Sequence, residues 1–432
     1  MSALLRISAA SLFLLAAANA PAMAADSMDF VLGKALFERL WVQAPASTKS
    51  ADGLGPMFNA RACSTCHRGG GQSPVALEPG ELPAAAPLTL RVGEVTDGKL
   101  APHPELGEQV QTSAVTGLAS EGRLMLRYDL RQVRLADGTS VELRRPRFVI
   151  ANDAGTPPAI NWQSPRLAQD LHGLGLLERI PFARMAELAD PDDLDGNGIS
   201  GSVVMGAYED ANIHPGRFGW KATEPDLERQ TSAAFHFDLG LSTPAKLEPW
   251  GDCTATQTAC RAAPHGAKTG EVEVSGQLVA LIASHLRDLP APQAASQPTD
   301  TTRAGAEIFA EAGCGACHTE RQPSFAAAGK SIWIAPYTDL LVHDMGDGLA
   351  DLTNAGAISP AADARDWRTA PLWGLGQRAA KGPAANLLHD GRARSILEAI
   401  LWHDGEADKA KQAAAALSPE DRAKLIAFLE SL

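Results

Sequence analysis

Positive charge is in short supply: 38 Lys and Arg stand against 51 Asp and Glu, a formal net charge of -13. That balance argues against nucleic acid and anionic membrane surfaces as partners. It is compatible with a basic electron-transfer partner or simply with a solubilising acidic surface. Long apolar runs are also missing. After the first two dozen residues no segment has the length or continuity of a transmembrane helix, so no membrane span is expected in the mature chain. The exception at the start is short: Arg6, an apolar run from Ala9 to Ala18, and then Ala22-Met23-Ala24. This reads as a cleaved signal peptide over residues 1–24 and predicts an exported, periplasmic protein beginning near Ala25.

Cysteine is scarce as well, at six residues. Four of them lie in two C-x-x-C-H motifs, Cys63-Ser64-Thr65-Cys66-His67 and Cys314-Gly315-Ala316-Cys317-His318. Two thiols at this spacing can each add to a haem vinyl group, holding the adjacent histidine beneath the iron as its proximal ligand. The alternatives, zinc binding or dithiol exchange, suit an exported chain with two such motifs poorly. The remaining pair, Cys253 and Cys260, has no histidines at zinc spacing and predicts a local disulfide in an oxidising compartment. Two covalently attached c-type haems are therefore expected.

The pattern along the chain predicts a mainly α fold: two cytochrome c-like domains with a β-rich insertion in the first. The first domain is placed at 25–288. It opens with a helix over Asp29 to Trp41, whose apolar residues recur at helical spacing. Short β-like runs at Leu88 to Val92, Leu124 to Leu130 and Ser140 to Ile150 define an insertion at about 75–150. Helical periodicity is read again over Ser164 to Leu177 and Gly276 to Leu289. Pro290, Pro292 and Pro298 mark a linker over 289–302. The second domain, 303–432, starts with a helix over Arg303 to Ala312. It ends with another over Pro419 to Leu432, behind Ser418 as N-cap. No repeat of fixed period links the two motifs.

Several segments then carry a resemblance. Leu32-Gly33-Lys34-Ala35-Leu36-Phe37 followed by the first motif resembles the bacterial diheme cytochrome c peroxidase superfamily. So does the block from Arg368-Thr369-Ala370-Pro371-Leu372 through Leu388-His389-Asp390-Gly391 to Leu397-Glu398-Ala399. Gly53-Leu54-Gly55-Pro56, Gly216-Arg217-Phe218-Gly219-Trp220-Lys221-Ala222 and Leu388-His389-Asp390-Gly391-Arg392-Ala393-Arg394 are similar to one branch of it, the diheme oxidoreductase (putative peroxidase) family. The likeness covers nearly the whole mature chain. The family's other label, predicted thiol oxidoreductase, finds no support, because haem consumes the four motif cysteines.

The resemblance implies roles for particular residues. The sixth ligand of the C-terminal haem falls a dozen or so residues beyond the His-x-Gly turn, at His403, with Met345 as the rival. His318/His403 ligation implies a lower potential than His/Met. Trp220 becomes an inter-haem relay, the alternative being a packed core aromatic. Gln230 and Asp238 become neighbours of the reactive iron, Asp238 as general acid/base, with a helix or turn cap as its alternative and His236 as a competing distal residue. The peroxidases carry a capping histidine shortly after the first motif. Here Gly69-Gly70-Gly71 follows His67, and the next histidine is His103, so the first haem is expected open at rest. Should it prove capped, His103, His172 and His236 are the suspects. Asp193-x-Asp195-x-Asn197-Gly198 begins like a calcium loop, but Val204 stands where the bidentate Glu belongs. Calcium and an Asx-rich turn are the two readings.

The implied activity is an oxidoreductase that reacts with peroxide or a related oxidant at the His67 haem. Its electrons would come from an external donor, such as a small cytochrome or cupredoxin, through the His318 haem. The alternatives are a non-catalytic diheme electron carrier, and an oxidase or oxygenase acting on an organic or protein substrate.

Overall fold

The computed structural model describes residues 27–432 apart from 85, 153–157, 208–211, 295–296, 327–328, 354, 360 and 362. The leader read over 1–24, with Arg6 and Ala22-Met23-Ala24, lies outside the described residues.

Each C-x-x-C-H motif is served by a pair of helices crossing at a glycine. In the first half, α1 (Met28–Phe37) is capped by the Ser27 side chain. It lies against a helix at Gly276–Asp288, and a Cβ at Gly33 would strike the carbonyl of Leu281. In the second half, a helix at Asp300–Glu311 starts from a Thr299 capping box. It lies against Pro419–Ser431, and a Cβ at Gly305 would strike the carbonyl of Lys424. Only glycine permits backbones this close. Four residues beyond each glycine a buried phenylalanine, Phe37 or Phe309, enters the local core.

A second glycine pair repeats the relation. Leu171-His172-Gly173-Leu174-Gly175 runs into α2 (Leu174–Glu178), and Leu372-Trp373-Gly374-Leu375-Gly376 runs into a helix at Leu375–Ala379. A Cβ at Gly175 would meet the backbone of Arg287, and one at Gly376 the backbone of Glu430. The two segments also touch one another, since a side chain at Gly173 would collide with the Trp373 ring.

The chain is not mainly α, and two cytochrome c-like helical domains do not describe it: 31% is helix and 22% strand, spread over many small sheets. Strands β1 (Leu88–Thr96), β2 (Arg123–Arg134) and β3 (Ser140–Ala151) are long. β2 and β3 form one continuous antiparallel hairpin around Asp137 and Gly138. Extended pairs also flank the second motif, at Gln322–Phe325 with Ser331–Ile334 and at Val342–Asp344 with Asp366–Arg368. Pairs of three or four residues are too short to display an alternating pattern, which is why the sequence under-reports strand. The helix read over Ser164 to Leu177 is likewise corrected. β4 (Trp162–Leu167) pairs with β1, and Pro165 favours extended backbone at Ser164.

The hairpin does not stay with the half that encodes it. Leu135 and Leu143 join Phe309, Trp367, Ile396, Trp402 and Phe428 in the core of the second half. Arg144 donates to the carbonyl of Arg392 at 2.9 Å, and Arg422 pairs with Asp137 at 2.6 Å. Among the described residues no helix is long and apolar enough to cross a membrane.

Candidate haem sites

In the second half a cavity of about 390 Å³ opens between Cys314, Cys317, His318 and His403, within the range of roughly 300–1,000 Å³ typical of cofactor pockets. The His318 and His403 rings face each other across it with centroids 6.5 Å apart. Two metal–nitrogen bonds of about 2 Å plus half a ring on each side would require roughly 6.4 Å. His318 Nδ1 lies 3.0 Å from the carbonyl of Tyr337, and His403 Nδ1 lies 2.7 Å from that of Ala399. Each Nδ1 is thereby occupied and each Nε2 left for the cavity, the arrangement that fixes tautomer and orientation in ligand histidines. Burial pushes His318 down to about 4 and also lowers His403, so both rings are neutral and can ligate. The residues fit a haem iron with two axial histidines. Met345 lines the same cavity.

The first motif is built alike. His67 Nδ1 lies 2.8 Å from the carbonyl of Gln169, and burial lowers the imidazole to about 4. Burial also raises the thiols of Cys63 and Cys66 to about 12, with Asp238's charge adding to it, and that of Cys314 to about 11. Two thiols beside one oriented imidazole at each motif fit thioether attachment with a single proximal ligand.

The two halves diverge on the opposite face. A β-bridge joins Phe218 to Glu224 in the first half, and another joins Leu387 to Ala393 in the second. Two residues on, Asp226 caps α3 (Leu227–Ala234), while Ser395 caps the equivalent helix Ile396–Trp402. Matched this way, without gaps, Trp220 corresponds to His389 and Ala234 to His403. An alanine therefore stands at the position that corresponds to His403.

Beyond Ala234 the helix widens into a π turn, Phe235–Leu239, of the kind that often accompanies functional sites. Asp238 sits in this turn, half-buried. Burial raises its carboxyl pKa, while a hydrogen bond from Gln109 and the charge of Arg91 offset part of the rise. Gln230 lies one helix earlier, and its buried Oε1 has no partner among the described residues. His236 is buried edge-on against Phe237, under the influence of Lys246 and Arg91. Both nitrogens of His103 are engaged, with Ala159 and Glu105, and His172 Nδ1 lies 2.7 Å from Asp170.

Trp220 links the halves. Its indole donates to the carbonyl of Leu167 at 2.7 Å, and its ring lines the C-terminal cavity edge-on to His389 at 6.4 Å. Two residues after Leu167, Gln169 supplies the carbonyl on His67, and its side chain accepts from Arg368 at 2.6 Å. The strip 167–169 thus touches both sites.

In the calcium-like loop, Asp190, Asp193 and Asp195 bring ligand atoms within 4.8 Å of one another. Asp193 and Asn197 also accept main-chain N–H groups of Gly198 and Ile199, as in Asx turns. Cys253 and Cys260 form a disulfide.

Gln109 and Gln169 were not singled out by sequence, and Arg368 entered only as the start of a family-like block. His343 lies buried between Asp339, at 2.9 Å, and Glu406, at 2.7 Å. Burial opposes its charge, but Asp339, Cys317 and Glu406 together outweigh that and push the imidazole up to about 12. The repeated L-x-G-L-G segments were the available signal for equivalence between the halves.

The family model described as "Di-haem oxidoreductase, putative peroxidase" matches residues 98–432. No curated protein and no solved structure matches the chain significantly.

Proposed function

The chain belongs to the di-haem oxidoreductase (putative peroxidase) family, and from that membership we propose that it is a periplasmic peroxidase with two c-type haems. Cys63, Cys66 and His67 hold one, where the oxidant reacts. Cys314, Cys317, His318 and His403 hold the other, which receives electrons from an external donor such as a small cytochrome or cupredoxin. When bound, the haems supply one-electron chemistry and, at an iron with a free face, the peroxide site.

The observation that carries this reading is the contrast between Ala234 and His403 at equivalent positions. His318 and His403 face one cavity, whereas the position of the first half that matches His403 is an alanine. Asp238 stands near the first-half site with its carboxyl biased toward the protonated form, as a proton-transfer group at an oxidant requires. Gln109 holds that carboxyl in place, and Trp220 bridges toward the partner site. Export is supported by the leader at Arg6, Ala9 to Ala18 and Ala22-Met23-Ala24, and by the Cys253–Cys260 disulfide.

The test is stopped-flow mixing of the fully oxidised protein with peroxide while both haem spectra are followed. One high-spin and one low-spin haem, both responding without added reductant, is the expected result. Two low-spin haems that stay inert to peroxide even after reduction would favour a plain electron carrier.

A further inference from the structure

Four Lys and Arg side chains line the C-terminal cavity: Arg368, Arg378, Lys409 and Lys411. Three are already engaged by protein. Arg368 donates to Gly219, Thr369 and Gln169. Lys409 donates to the carbonyl of Asn197 at 2.7 Å, and Lys411 pairs with Asp404 and Asp408. The Arg378 side chain is different. It makes no hydrogen bond or ion pair among the described residues, although burial depresses its pKa and Asp170 is the only acid whose charge acts against that. Arg378 is half-buried, and a guanidinium that keeps its proton offers an unpaired fork of donors to whatever fills the cavity.

The fold itself does not call for a cation there. Arg378 lies two residues beyond Gly376, and the equivalent residue, two beyond Gly175, is Leu177, which is 1% exposed in an apolar cluster. The same helix packing is thus satisfied by leucine in one half, whereas in the other an arginine reaches the cavity. A planar fork of donors pairs best with a carboxylate, and haem carries two.

We infer that Arg378 binds a propionate carboxylate of the haem attached at Cys314 and Cys317, and so turns that haem's acidic edge toward the His67 site. The direction follows from Asp170, which the Arg378 charge reaches and which directly follows Gln169, the residue whose carbonyl meets His67. The inference rests on the di-haem reading above, with His318 and His403 as the axial pair.

The experiment uses full-length holoprotein carrying Arg378→Met or Arg378→Lys. Resonance Raman reads the propionate bending band, and spectroelectrochemistry reads the midpoint potential of the low-spin haem. Arg378→Met should shift the band. It should also lower the equilibrium constant for reduction about tenfold or more, about 59 mV for one electron, because the oxidised iron loses a nearby cation's opposition. Arg378→Lys should restore most of the potential and still shift the band, since an ammonium lacks the bidentate fork. Should the Met variant fail to accumulate, the band in the Lys variant decides. A band unmoved in either variant, with both haems attached, overturns the inference and leaves the di-haem reading standing. Wild-type protein without two attached haems overturns both.

Discussion

Gln109 Nε2 lies 2.9 Å from Asp238 Oδ1, and the same amide reaches the carbonyl of Phe237 at 2.9 Å. The backbone N–H of Gln109 is in turn held by Asp252 at 2.8 Å. A segment far away in sequence therefore fixes the orientation of the half-buried acid whose charge acts on Cys63 and Cys66. Asp238→Asn should slow the reaction with peroxide about a hundredfold or more, as loss of a placed acid/base does, while cyanide affinity changes little. Gln109→Leu should cost about tenfold, the loss of one positioning hydrogen bond. Stopped-flow rates alongside cyanide titrations separate the two; equal loss of cyanide binding would point to a collapsed site instead.

The correspondence of Ala234 with His403 predicts reciprocal spectra. His403→Gly should turn the low-spin haem high-spin and leave the His67 haem as it was. Ala234→His should do the opposite, making the first site low-spin and suppressing its peroxide reaction about a hundredfold by filling the open position. Electronic absorption and electron paramagnetic resonance read both. A spin change in Met345→Ala with His403→Gly silent would move the ligand to Met345.

Two tryptophans line the C-terminal cavity, and their surroundings differ. Lys221 Nζ lies 4.0 Å and Arg166 5.0 Å from the Trp367 ring centroid, and both oppose the positive charge that electron loss would create there. Among the described residues no cation stands over the Trp220 ring. Trp220→Phe should therefore slow electron exchange between the haems about tenfold or more, and Trp367→Phe should leave it near wild type. Rapid-mixing traces of the second haem after peroxide addition check this. Equal effects would show that Trp220 has no special part.

Stability should fall with rising pH. Burial is the main cause lifting Asp252 to about 7 and Glu121 to about 8, so the folded chain binds protons that the unfolded chain releases nearer pH 4. Stability is therefore fully present below about pH 4 for these two groups and is lost progressively between there and about pH 7 to 8. Asp252→Asn and Glu121→Gln should flatten that slope, raising Tm at pH 8 relative to wild type more than at pH 5. Thermal melts across this range decide; unchanged slopes would show that both groups titrate normally.

What the sequence displays most clearly is chemistry held in contiguous residues. Cys63 to His67 and Cys314 to His318 announce themselves, because attachment needs a fixed spacing. The remainder depends on contacts between distant segments. Gln109 meets Asp238 across 129 positions, and neither residue type nor spacing predicts that. The relation between the halves is hidden for another reason: 30 residues separate Gly33 from Cys63, but only nine separate Gly305 from Cys314, so no period survives. Short strands such as Val342–Asp344 are invisible because three residues carry no alternation. Ser164 to Leu177 misled because apolar spacing alone cannot outweigh a proline-restricted extended segment.

The β2–β3 hairpin has a consequence for biosynthesis. Leu135 and Leu143 are 3% and 0% exposed within a core cluster that includes Trp402 and Phe428, and those residues come off the ribosome last. Until then the hairpin tip presents bare apolar side chains of the kind that promote aggregation. A chain cut between residues 289 and 302 would keep that surface uncovered indefinitely. Truncated first halves should accumulate in inclusion bodies unless Leu135 and Leu143 are made polar, even though their own haem motif is complete.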